Sequence, residues 1–137
     1  MAKTREHSQD RDSWLAEALE MLQKALKIRR RALGEDHVDV ATSLANIGRV
    51  YADQGKHVKA LETFDKALAT YDRALGVDSR DSAGVYYNIA IDKKRCGDAA
   101  GALESARESV RIYTKLGINS QTSQGAADFL KELEGGA

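Results

Sequence analysis

A 42-residue internal repeat constrains the fold of this chain more than any other feature. The triplet Ala-Leu-Glu occurs three times, beginning at Ala18, Ala60 and Ala102. Residues 18–34 and 60–76 share ten identities in the same register. Self-similarity with a period of roughly 20 to 50 residues is typical of stacked-repeat proteins, in which each unit buries its apolar face against the next.

Each repeat is predicted to contain two helices. The chain has no proline, a residue that breaks helix interiors. Four leucines follow the four-three spacing of an amphipathic helix: Leu15, Leu19, Leu22 and Leu26. A glycine follows the last leucine of each repeat, as is common at helix ends. The sequence therefore predicts helices at residues 13–33, 38–54, 56–75, 80–96, 98–116 and 120–134.

The short connections place neighbouring helices antiparallel. Three of them hold polar side chains that can accept a hydrogen bond from the free N–H groups of the next helix. The candidate caps are Asp36 or His37, Asp78 or Ser79, and Asn119 or Ser120. We expect one all-α domain at residues 13–134, after a flexible N-terminal tail at 1–12 and before a frayed C-terminus at 135–137.

The composition excludes several classes of function. The 21 basic and 21 acidic residues give a net charge of zero, so nucleic acid and anionic membranes are not attracted over long range. No apolar run approaches the ~20 residues of a membrane span. The single cysteine, Cys96, excludes an internal disulfide and suits a reducing compartment. We expect a cytoplasmic protein with neither a nucleic-acid nor a membrane partner.

The central unit carries the spacing of a known repeat family. It reads Leu44-x2-Ile47-Gly48-x2-Tyr51, followed by Ala60-x3-Phe64. This pattern resembles the tetratricopeptide repeat. The resemblance implies a right-handed α-solenoid of antiparallel helix pairs. HEAT and armadillo repeats, with a period of roughly 40–47 residues, are the alternative fold, but they lack this spacing.

The length of the unit indicates a particular branch of that family. Ordinary tetratricopeptide units have about 34 residues, whereas the period here is 42. The stretch from Gly34 to Ile47 looks like the kinesin light chain type of repeat. The likeness weakens away from the centre: Val38 stands where that type has proline, Ala45 replaces its first asparagine, and Lys93 occupies the position of Tyr51.

The resemblance also implies a binding surface, since the first helix of each pair lines a concave groove in a tetratricopeptide stack. The implied groove residues are Thr42, Asn46, Arg49, Asp53, Tyr87, Asn88, Ile91, Lys94 and Arg95. The amides of Asn46 and Asn88 can both donate to and accept from a peptide backbone. The cations Arg49, Lys94 and Arg95 favour a protein or peptide partner with an acidic segment.

Two simpler interpretations of these residues stay open. Asn46 and Asn88 can be repeat-consensus residues that are exposed without a ligand. The basic run from Lys93 to Arg95 can be a solvated helix end that interacts favourably with the helix dipole.

The two ends of the repeat array form a second candidate surface. The first predicted helix, 13–33, corresponds to the second helix of a pair and lacks a first helix to pack against. The last predicted helix, 120–134, corresponds to the first helix of a pair and lacks a second helix. Trp14 and Leu15 are candidate self-association residues that would give a homo-oligomer, either a dimer or a head-to-tail assembly. Alternatively, both terminal helices act as caps with polar outer faces.

No pattern of chemistry accompanies these surfaces, so we expect no catalytic residues, no metal and no cofactor. The histidines are scattered and lack a second ligand at metal-binding spacing. Cys96 has no Cys-x-x-Cys partner. The sequence thus favours a non-enzymatic adaptor that binds a peptide, with self-association as the alternative.

Overall fold

Six α-helices form the fold of residues 2–135, which are the residues that the computed structural model describes, with side chains from residue 10 onward. Consecutive helices contact one another along the chain, and the second also contacts the fourth, as in a solenoid. The predicted all-α solenoid is confirmed. The helices are α1 (Ala2–Leu33), α2 (Val38–Asp53), α3 (His57–Leu75), α4 (Arg80–Arg95), α5 (Ala99–Leu116) and α6 (Gln121–Gly135).

The start of α1 differs from the sequence prediction. The helix begins at Ala2, eleven residues before the predicted start at 13. Residues 2–12 contain neither glycine nor proline, so nothing in the backbone ends the helix there. The predicted boundary between tail and domain therefore does not coincide with a helix end. Of the predicted frayed C-terminus at 135–137, residues 136 and 137 lie outside the described residues.

The first helix of each pair begins at a side-chain cap. His37 Nδ1 accepts from the Asp39 backbone N–H at 3.0 Å, and Ser79 Oγ accepts from the Ser82 N–H at 3.0 Å. Before α6, Ser120 accepts from the Ser123 N–H at 3.1 Å, and Ser123 Oγ accepts from the Ser120 N–H at 2.8 Å. In all three turns the second of the two candidate residues is the cap.

The closest contact between paired helices joins α2 and α3. Gly48 lies against the ring of Phe64, and a Cβ atom at Gly48 would come within 2.7 Å of that ring. Phe64 is fully buried in the larger of two apolar clusters, which extends from α1 to α4. The glycine and phenylalanine of the repeat pattern are therefore two halves of one packing contact.

A buried acidic residue links the second pair to the first. Asp92 in α4 is 1% exposed, and its Oδ1 lies 2.6 Å from His57 Nδ1 at the start of α3. Its Oδ2 is buried without a hydrogen-bond partner among the described atoms. A buried carboxylate needs a partner, so His57 serves the packing of α3 on α4.

An ion-pair cluster holds the turn between α3 and α4 against α5. The Asp78 carboxylate lies 2.6 Å from Arg111 Nη2 and 2.7 Å from Lys115 Nζ. These two cations hold the pKa of Asp78 at about 2, below its ordinary value of 3.8. Asp78 also has a positive φ of 65°, a conformation that Asp and Asn tolerate better than most residues.

Gly48→Ala tests the packing contact between α2 and α3. We expect a loss of about 1–3 kcal/mol in the free energy of unfolding, because the added methyl overpacks Phe64. The matched control is Gly84→Ala in α4, where the new Cβ would meet only Tyr113 Oη at 3.7 Å. The control should be neutral or stabilising by about 0.5–1 kcal/mol, since alanine favours helix. Urea unfolding measures both, and equal effects would contradict the assignment.

Asp78→Asn tests the ion-pair cluster. Because the folded-state pKa of Asp78 is lower than the unfolded one, the cluster stabilises the fold above about pH 4 and loses this effect as the pH falls toward 2. The variant should therefore be less stable than the native chain at pH 6, and the difference should shrink toward pH 2. Unfolding curves across this range measure it. A difference independent of pH would show that the cluster contributes nothing.

Candidate functional site

A cleft runs across the side of the stack that the resemblance implies to be concave, where α2, α4 and α6 lie side by side. Its volume is about 500 Å³. Helix α2 lines it with Thr42, Ala45, Asn46 and Arg49. Helix α4 and the start of α6 contribute Arg80, Asp81, Gly84, Val85, Tyr87, Asn88, Ser120 and Thr122. Tyr71 of α3 and Tyr113 of α5 complete the lining. The first helix of each pair therefore contributes most of one continuous surface, to which α3 and α5 add one side chain each.

A smaller cleft of about 140 Å³ continues this surface toward the C-terminal ends of α2 and α4. Arg49 and Asn88 line both clefts. Asp53, Ile91 and Arg95 line the smaller one. We call the two clefts together the concave groove. Eight of the nine groove residues proposed from the sequence line it.

Two asparagines occupy equivalent positions in the groove. Asn46 in α2 and Asn88 in α4 are 42 residues apart, and both side chains are half-buried. Neither amide has a hydrogen-bond partner among the described residues. A free amide in a cleft can donate one hydrogen bond and accept another, as an extended peptide backbone requires.

The charges in the groove are only partly neutralised. Arg95 lies 3.4 Å from Asp53, so these two side chains pair with each other. Arg49 is exposed, and within the described part of the chain no carboxylate lies within ion-pair distance of it. Arg80, which lines the larger cleft, is likewise exposed and in no ion pair among the described residues. Arg49 and Arg80 are thus groove cations with unused capacity for a carboxylate.

Two of the proposed residues make contacts of their own. The Thr42 hydroxyl lies 2.8 Å from Tyr71 Oη and donates to the Val38 carbonyl at 3.1 Å. Burial raises the pKa of Tyr71, so this phenol stays protonated in the pair. Lys94 does not line either cleft, because its ammonium lies over the Phe129 ring, 5.2 Å from the centroid.

Helix α6 also contributes to the groove, although none of its residues was among those proposed from the sequence. Ser120 and Thr122 line the groove, and Gly125 lies so close to α4 that a Cβ there would be 3.1 Å from Tyr87 Oη. The repeat could have indicated this contribution, because α6 is the first helix of a third pair, after α2 and α4, and its start therefore lies beside α4. A one-residue shift of the third repeat hid that correspondence.

The two residues proposed for self-association differ in their exposure. Trp14 is 70% exposed on α1, whereas Leu15 is buried against the core. The two residues therefore do not share a surface, and only Trp14 is accessible to another molecule.

Within the described residues, no three His, Cys, Asp or Glu side chains are grouped as a metal site. None of the described helices has the length and apolar character that crossing a membrane requires.

The fold is similar to three solved structures. The first is BtubC (BKLC) from P. vanneervenii, with a TM-score of 0.77, 23% identity, and coverage of 93% of this chain and 51% of that one. The others are TPR-like repeats assigned to a Podosopora anserina kinesin light chain. A glutamine-to-methionine variant of these has a TM-score of 0.75 at 18% identity and coverage of 93% and 60%. The unsubstituted repeats have a TM-score of 0.66 at 19% identity, and the match covers 91% of this chain and 61% of that one.

These similarities confirm the resemblance to kinesin light chain repeats at the level of the fold. The chain spans between half and two-thirds of the length of each of these structures. No curated protein matches the sequence. The tetratricopeptide repeat profile matches residues 15–73 and 46–115, which together cover most of the chain. The chain therefore belongs to the tetratricopeptide repeat family.

Proposed function

We propose that this protein is a non-enzymatic adaptor that binds an extended segment of a partner protein in the concave groove. The tetratricopeptide fold supports a role in protein interaction. One observation carries the finer proposal: the equivalent amides of Asn46 and Asn88 lie in a single cleft without partners among the described residues. Two equivalent amides on adjacent helices suit the repeating N–H and C=O groups of a peptide backbone.

The charges of the groove favour an acidic segment. Arg49, which lines both clefts, and Arg80, which lines the larger one, have unused capacity for a carboxylate. A carboxylate of the peptide would form charge-assisted hydrogen bonds with these arginines, and such bonds are stronger than neutral ones. We also propose a cytoplasmic location for the protein, which its single cysteine and balanced charge support.

The double variant Asn46→Ala plus Asn88→Ala tests the groove. A peptide selected from a displayed random library on the immobilised full chain serves as the ligand, and calorimetric titration measures its affinity. We expect a loss of about 1–3 kcal/mol, roughly 5- to 150-fold in Kd, because two hydrogen bonds are removed.

The matched control is Asn119→Ala, since Asn119 is an exposed asparagine outside the groove. The control should bind as the native chain does. If the double variant also binds as the native chain does, the groove assignment is wrong.

Self-association is a second candidate function, which the 70% exposure of Trp14 favours. A tryptophan that stays in water loses the stabilisation that its large apolar area would give when buried. We expect the molecular mass in light scattering to rise above that of the monomer as the protein concentration is increased. A strict monomer at high micromolar concentration would contradict this second function.

A further inference from the structure

Helix α1 carries a stripe of apolar side chains that no other described element covers. Trp14, Met21 and Ile28 are 70%, 71% and 67% exposed. Ala18, Ala25 and Ala32 alternate with them, so apolar residues follow each other at spacings of four and three, as in a coiled-coil seam. We call these six residues the outer stripe. It extends about 27 Å along the helix.

The repeat shows that part of this stripe is a helix-packing face. Ala18 and Ala25 correspond to Ala60 and Ala67 in α3, and both of those are fully buried in the core. In α5 the residue at the position of Ala25 is Ser109, whose hydroxyl donates to the Ala83 carbonyl of α4 at 2.7 Å. In α3 and α5 this face therefore contacts the preceding helix, whereas in α1 it is free within the described residues.

Two of the three large residues of the outer stripe, Trp14 and Met21, have polar counterparts in both other repeats, whereas Ile28 corresponds to Thr70 in α3 and to the buried Ile112 in α5. Lys56, the residue before α3, stands at the position of Trp14, and Thr63 of α3 stands at that of Met21. In the third repeat the corresponding residues are also polar: Asp98, which caps α5, and Ser105. The absence of a covering helix on α1 does not by itself explain why large apolar side chains stand at these positions. At these two positions large apolar side chains stand in the helix whose face is free, where the covered helices have polar ones, and this favours a covered surface.

The charges beside the stripe identify the occupant. Beside the first half of the stripe, between residues 10 and 20, the exposed charged side chains are mostly acidic, with Asp10, Asp12, Glu17 and Glu20 against Arg11. The C-terminal half is basic, with Lys24, Lys27 and Arg31 exposed. The halves meet at the Glu20–Lys24 ion pair, with 3.3 Å between the charged atoms. A second α1 in the opposite direction places each acidic half beside a basic half, whereas a parallel one opposes like charges.

We propose that α1 packs antiparallel against α1 of a second copy of this chain, along the outer stripe. The proposal rests on the second candidate function and names its partner and geometry. With a two-fold axis near Gln23, Trp14 of one copy lies opposite Ala32 of the other. Met21 then meets Ala25, and Ile28 meets Ala18, so that each large side chain fills the space beside a small one.

A head-to-tail arrangement fits less well. It would place α6 of one copy against α1 of the next. The exposed residues near the end of α6 include Lys131, Glu132 and Glu134, whose burial against an apolar stripe is costly. The α1–α1 pairing buries no charged residue of the stripe itself.

Met21→Glu tests the surface, with Val58→Glu as the matched control. Both native side chains are exposed to nearly the same extent, 71% and 72%, but Val58 lies on α3 outside the stripe. In sedimentation equilibrium we expect a dimer for the native full chain and for Val58→Glu. For Met21→Glu we expect a dissociation constant at least about tenfold higher, because a charged group enters the seam.

A native chain that is monomeric overturns both the pairing and self-association. A dimer that resists Met21→Glu overturns the pairing alone, since self-association would then use another surface. The groove is tested separately, because Asn46→Ala and Asn88→Ala leave α1 unchanged.

The direction of the helices is tested by disulfide formation in a Cys96→Ser background. Ala18→Cys and Ile28→Cys lie opposite each other in the antiparallel register. Mixed and oxidised, the two variants should form a heterodimeric disulfide, whereas Ala18→Cys alone should form little. Efficient disulfide formation by Ala18→Cys alone would overturn the antiparallel geometry, because a parallel pair brings identical positions together.

Discussion

The contact between Gly48 and Phe64 is the constraint on which the rest of the structure depends. The absence of a side chain at Gly48 lets the Phe64 ring lie directly on the backbone of α2, and this sets the distance between α2 and α3. The residues around that ring complete the apolar cluster that joins α1 to α4. A single hairpin could not bury this ring, so the contact explains why the units stack.

The same packing determines where the polar residues face. Because Leu44, Ile47 and Gly48 of α2 are buried, Asn46 and Arg49 point to the other side of the helix. The repeat reproduces this arrangement in α4, where Ile89 is buried and Asn88 lines the groove. The amide pair is therefore a consequence of how the helices pack, and its two members lie side by side because the repeats do.

The sequence predicted most of the fold, since helix ends, caps and repeat register depend on residues that are near one another in the chain. Five helices have bounds within one or two residues of the prediction. The extension of α1 was missed because the charged segment before Ser13 resembles a solvated tail. The pairing of His57 with Asp92 was missed because it joins residues 35 positions apart. Ser120 and Thr122 were missed for the same reason, as their place in the groove depends on how α6 packs.

Binding of an extended peptide in the groove formed by α2, α4 and α6 can be followed by the backbone amide chemical shifts of the full chain, recorded during titration with a library-selected peptide. We expect the largest changes around Asn46, Arg49 and Asn88, with little change along α3 and α5 away from Tyr71 and Tyr113. Changes centred on α3 and α5, with the amides of the groove unaffected, would contradict binding in the groove.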